Sequence, residues 1–177
     1  MIYLRDYIMS AAIFSFFSFV WFGWAQAEIV QLKHHLWLGI CAAIAAISSI
    51  VAGVLSYQNF HTASALAKFN SFTWYLIVFY TEFILGLIGA LLLIKFKQSP
   101  AVPAWISLLV GIHFIALQFV FHDPSLYLLA ILMLVVSALA IPINHKFKVA
   151  QSTLVGTSNG VILLIFAIFN YSRFLLN

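Results

Sequence analysis

The chain has 177 residues, of which 65% are hydrophobic and 7% charged, with a mean hydropathy of +1.12. A soluble globular chain carries about 25% charged residues, so the composition excludes a soluble domain and leaves room here for one membrane domain, residues 1–177. The formal net charge of +4 comes from eight scattered Lys and Arg, which suits contact with anionic lipid head groups and not the clustered basic surface of a nucleic-acid binder.

The first segment, MIYLRDYIMSAAIFSFFSFVWFGWAQ, is aromatic to its end and lacks a small-residue cleavage site. It is expected to be a retained span and not a signal peptide. A spanning helix needs about 20 mostly apolar residues, and six runs meet this, at 8–27, 36–56, 72–94, 104–121, 126–143 and 153–169. The expected fold is therefore all-α, a polytopic membrane bundle of six transmembrane helices. The second run sets Ala42, Ala45, Ala46, Ser49 and Gly53 on one helical face, a small-residue surface that predicts central packing. Cys41, alone among apolar neighbours, allows no disulfide within the chain.

Between the second and third runs, YQNFHTASALAKFN has enough Ala and Leu for a short interfacial helix. SPAVP then stops the chain before the fourth run, with Pro103 suited to a first helical turn. HDPS offers Asp123 as N-cap and Pro124 as the first position of the fifth. All joints are short, so consecutive helices are expected to pack antiparallel. The sixth run carries Gly156 and Gly160 in GTSNG, a GxxxG pattern that reads either as packing within the chain or as a homodimer face. Trp21, Trp24, Trp37, Trp74 and Trp105 all fall near span ends, where an interfacial belt accounts for them better than a ligand-binding cage.

Orientation follows from the basic residues. Lys33, Lys95, Lys97, Lys146 and Lys148 collect on one side, against Arg5, Lys68 and Arg173 on the other. That bias places the first group in the cytoplasm and both termini outside. IKFKQ and HKFKV, which carry four of these lysines, each close one hydrophobic run before another begins, and hint at duplicated hairpins.

Two ionisable groups lie deep inside hydrophobic runs. Counted from Ser99 in the joint, Glu82 is 17 residues back and His113 is 14 residues forward. At about 1.5 Å per residue both reach the same depth near mid-membrane. Tyr75, Glu82 and Gly89 recur every seven residues, with Gly86 one turn beyond Glu82, a stripe expected to face the bundle interior. A charged side chain at a helix centre costs about 2.5–3.5 kcal/mol on insertion scales, so Glu82 needs a partner. His113 is the ionisable candidate; Gln118, Asn159, Ser107, Tyr75 and Thr157 are the neutral ones.

Three readings of the pair stay open: a structural bond that fixes helix register, a proton- or substrate-binding centre of a small transporter, and catalysis. The chain has no HExxH, and its one GxSxG spelling, GTSNG at 156–160, falls inside an apolar helical run and not at a strand-to-helix turn, so no nucleophile–base or metal motif supports an enzyme. His34, His35, His61, His122 and His145 all sit at span ends or in joints, where a solvated interfacial imidazole is the expected state and no metal, haem or other cofactor is called for.

The residues from Glu82 through LLLIK, PAWISLLVGIHF and HDPSLYLLAILM resemble a pattern in small uncharacterised bacterial integral membrane proteins. There an acid in one span is followed by A-W-I-x-L-V-x-G-x-H-F in the next and then by a P-x-x-Y helix start. Ala104, Trp105, Ile106, Leu108, Gly111, His113, Phe114, Pro124 and Tyr127 stand at matching positions over about 50 residues, while Ala116 stands where those proteins often have Pro. The resemblance implies no activity, ligand or partner; it selects the same hairpin. In size and helix number alone the chain is also similar to the substrate-binding components of energy-coupling-factor vitamin transporters, whose small-xxx-small surfaces meet a partner subunit, as the stretch from Ala11 to Ser15 could.

The expectation is thus a bundle in a bacterial cell membrane, transporter-like or ligand-binding. Its site is Glu82, His113, Tyr75, Gln118 and Asn159, its ligand a small molecule or a proton, and its surroundings the lipid bilayer. The alternative is a non-catalytic structural or regulatory subunit.

Overall fold

The computed structural model describes residues 3–28 and 32–177. They form six helices: α1 (Leu4–Gln26), α2 (Leu32–Gln58), α3 (Phe69–Lys95), α4 (Val102–Phe121), α5 (Ser125–Phe147) and α6 (Gln151–Leu175). All six are long and apolar enough to cross a membrane, and the described residues contain no strand. Most helices run a few residues past the apolar runs, because interfacial residues such as His145 and Lys146 continue the backbone ladder once it has left the hydrocarbon. Pro103 lies in the first turn of α4 as expected. Asp123 Oδ1 accepts from the Ser125 amide at 3.0 Å and the Ser125 hydroxyl at 2.7 Å, satisfying a donor at the start of α5.

The 57–70 joint holds no interfacial helix beyond a single 3-10 turn, Ala65–Ala67. Its path also departs from the simple hairpin rule. α2 packs on α1 and α3 packs on α4, so these consecutive helices are not each other's partners. The joint crosses the N-terminal end of α1 and is pinned there by the fully buried Asp6, which accepts from Ser64 Oγ at 2.6 Å and the Ala65 amide at 2.9 Å.

α1 is the central helix. Its main partner is α6, with α2 on its other side, while α4 packs on α5 and α3. The Gly156 and Gly160 face is spent on α1. A Cβ at Gly156 would lie 2.7 Å from the Ala25 amide nitrogen and the Trp21 carbonyl oxygen, and one at Gly160 would lie 2.7 Å from the Phe22 ring. These glycines let two helices of one chain approach, the within-chain packing that the motif allowed. Ala11 and Ser15 are likewise covered by α2, through Ala52 and a Ser15–Ser48 hydroxyl bond of 2.8 Å.

α2 is peripheral, not central. Its small face, with Ala42, Ala45 and Ala52 buried, serves α1, while Ile44, Ile47 and Ile50 on other faces are more than half exposed and suit lipid. Hydroxyl bonds to backbone carbonyls join the helices: Ser18 to Gly160, Ser49 to Ala12, Ser137 to Ala104 and Ser107 to Met133. At the end of the bundle that holds both termini, Arg173 of α6 donates to Asp123 Oδ2 at 2.6 Å and to the Tyr7 hydroxyl at 3.2 Å, lying over the Tyr7 ring. At the opposite end the KFK segments close α3 and α5 in the same way, with Lys97 and Lys148 both at φ 58°.

Candidate functional site

Glu82 of α3 and His113 of α4 meet at mid-height. Nδ1 of the imidazole lies 2.6 Å from Oε2 of the carboxyl, with the side chains 11% and 25% exposed respectively. The ring nitrogen has no aligned hydrogen bond, so the contact is a close polar pair whose N–H direction misses the oxygen. Two features of α3–α4 packing produce the encounter. The Trp105 indole lies directly over Gly89, where any Cβ would collide with it, and it donates to the Leu85 carbonyl at 3.3 Å. Gly86 leaves the turn after Glu82 open enough for Ile106 to lie against it.

The pair borders a cavity of about 580 Å³ between α1, α3 and α4, within the range of small-molecule sites. The cavity is elongated. Along α1 it runs from Met9 to Trp24 and along α3 from Tyr75 to Ala90, about 22 Å in each case at 1.5 Å per residue. Its wall is overwhelmingly apolar. It arises because α3 is held by α4 and the short segments at its two ends, while α1 has turned its small face to α2 and its glycine-facing side to α6. The remaining side of α1 has no closely packed helix opposite.

Of the expected site residues, Glu82, His113 and Tyr75 line the cavity, and Gln118 and Asn159 do not. Gln118 follows His113 by five residues, which turns it about 140° around α4. Asn159 is fully buried elsewhere and donates to Ser107 Oγ at 2.9 Å, joining α6 to α4. Both therefore lie outside this cavity.

The contribution of α1 was missed. Ser10, Phe14, Phe17, Trp21 and Trp24 line the wall opposite the pair. Their spacing of four, three, four and three residues was a readable signal of one helical face. Trp21 and Trp24 stack with centroids 5.3 Å apart at one end of the cavity, so they differ from the exposed Trp37 and Trp74, which fit the interfacial belt.

Chemically, the pair can share one proton, and it offers one charge-bearing acceptor and one imidazole in an apolar wall. Among the described residues no group of three His, Cys, Asp or Glu converges as a metal site. Comparison with protein-family models, curated proteins and solved structures gives no match; the class defined by fold and site is a six-helix multi-pass membrane protein with a lateral apolar cavity.

Proposed function

We propose that this protein binds a lipid-soluble small molecule in the cavity between α1, α3 and α4, as a small transporter-like or ligand-binding bundle of a bacterial cytoplasmic membrane, with Glu82 and His113 as the polar anchor. The observation that carries this reading is the cavity itself: a space of about 580 Å³ reaches an ionisable pair at mid-membrane. A pair that served only to fix helix register would need no such space. Intramembrane carboxyls that face a cavity mark ligand or proton pathways in general. The reading is one of binding, not catalysis. Lysines at one end, set against an opposite end where Arg173 is bonded to Asp123 and Arg5 lies over Phe60, support a cytoplasmic placement of the lysines with both termini outside.

The test uses protein in lipid nanodiscs and adamantyl diazirine, a neutral apolar photoprobe. Adducts are expected on Phe14 and Phe114, which line the cavity and are buried from lipid, and Gly86→Leu, which fills the cavity, should suppress them at least fivefold. Adducts on lipid-facing Ile44 and Ile165 should not change. Equal labelling of Phe14 and Phe114 in the variant would overturn the reading. The structural alternative has its own support, because among the described residues the pair and the Trp105–Leu85 bond link α3 to α4. That alternative predicts that Glu82→Gln lowers thermal stability and that Gly86→Leu leaves every adduct in place.

A further inference from the structure

The chemistry of the wall narrows the ligand. We propose that the cavity takes a lipophilic organic cation, and that this cation and a proton compete for the Glu82–His113 pair. The inference rests on the cavity being a binding site, and it adds a charge, a body type and a coupled proton to that reading.

Charge comes first. Among the described residues, the titratable side chains on the wall are Tyr75 and Glu82 from α3 and His113 from α4, and no Lys or Arg reaches it. The elements around the pair add nothing that would offset a carboxylate. α1 contributes Ser10 and apolar or aromatic side chains, α5 contributes Leu126, and α6 contributes Leu163. With the imidazole neutral, the pair carries one negative charge in an apolar setting. An anionic ligand would meet that charge with no cation to receive it. A neutral ligand can share the cavity only with a proton on the pair, because a carboxylate without a counter-charge is disfavoured in a desolvated site.

The aromatic rings favour the same sign. Phe14 and Phe17 of α1 lie across from Phe79 and Phe83 of α3, and Phe114 of α4 stands edge-on to His113 at 5.5 Å and to Phe14 at 5.6 Å. Ring faces carry negative quadrupole density and attract cations, quaternary ammonium groups above all. A small metal ion is a poor occupant, because hard cations require several oxygen ligands and this wall supplies few. The cation that fits shields its charge within apolar groups and enters from lipid.

Competition with a proton follows from the balance of charge. A single proton on the pair neutralises it, and so does a single bound monocation. Each cation that enters at the neutralised pair therefore releases one proton to water. Protonation of both groups leaves the pair positive and repels the ligand.

The probe is tetraphenylphosphonium, with tetraphenylborate as the anion of nearly the same shape, and binding is measured by equilibrium dialysis on protein in nanodiscs. We expect the cation to bind at least tenfold more tightly than the anion. We also expect proton release on cation binding, and apparent affinity that rises up to tenfold per pH unit, wherever the pair holds its proton. Glu82→Gln should cost at least tenfold in cation affinity and abolish the pH slope. If that variant does not fold, Gly86→Leu carries the test, since it keeps the pair and should block the cation. Tetraphenylborate binding as tightly as the cation, or a cation affinity with no pH slope in the parent protein, overturns the proposal. Adamantyl diazirine separates the two levels of failure. Gly86-sensitive adducts without cation preference sink only the charge assignment, whereas loss of those adducts sinks the cavity reading as well.

Discussion

The α1–α6 crossing and the α3–α4 crossing use the same device to opposite ends. At the first, Gly156 and Gly160 admit the backbone and side chains of α1, and the Ser18 hydroxyl bonds the Gly160 carbonyl at 2.7 Å in a fully buried position. At the second, Gly89 admits one indole ring, and the polar contacts are the Trp105–Leu85 bond and a pair with imperfect alignment. Half of the spanning window of α1 is buried, against 6% of that of α3. Backbone-to-backbone approach makes a rigid unit, whereas approach through a single side chain makes an edge helix. The cavity lies where the rigid unit ends and the edge helix begins.

Substitutions at the two crossings should separate them. Gly156→Leu drives a side chain into the α1 backbone, which has no rotamer through which to yield. We expect a loss of about 3 kcal/mol, the upper end of typical overpacking, seen as a collapse of folded protein in detergent unfolding curves. A fully folded variant would show that α1 and α6 are less tightly apposed than described.

The second effect belongs to the rigid unit and is read through pH. Burial pushes the Asp123 carboxyl up, but the Ser125 hydroxyl and amide and the Arg173 guanidinium together outweigh it, so the group is held below its ordinary value of 3.8. A depressed carboxyl contributes stability that is fully present above 3.8 and is lost as pH falls below that value and through the lowered one. Thermal melts should therefore be flat in this respect above about pH 5 and fall steeply below pH 3.8. Asp123→Asn should cost about 1.5–3 kcal/mol at neutral pH and flatten that fall. An unchanged acid limb in the variant would remove Asp123 from the account.

The smallest effect is expected at the edge. Gly89→Ala forces the Trp105 indole to turn, which a side chain can do, so the loss should be about 1 kcal/mol. Its signature is local: hydrogen exchange should rise in α3 around Leu85 while α1 and α6 stay protected. Uniform loss of protection would erase the distinction between the two regions.

Hydropathy alone made the six helices legible, since a run of about 20 apolar residues has few other fates. The pairing of Glu82 with His113 was legible too, because two costly groups at one depth on sequential helices have reason to meet. The faces that helices turn to lipid were harder. Lipid is as apolar as a helix interface, so the small face of α2 could not reveal whether one neighbour or several cover it. For the same reason Trp21 and Trp24 of α1 read as part of an interfacial belt, although both line a cavity. Gln118 and Asn159 were grouped with the pair by residue type, without counting the helix rotation that sets them outside the cavity.

The central helix also imposes an order on assembly. Its largest neighbour, α6, leaves the ribosome after the other five helices, and the bond from Ser18 to Gly160 closes over 142 positions of chain. Until that closure, Trp21, Phe22 and Ala25 present an uncovered flank within the bilayer. Any product that stops short of Gln151 keeps that flank open, and so offers a ready surface for membrane quality control.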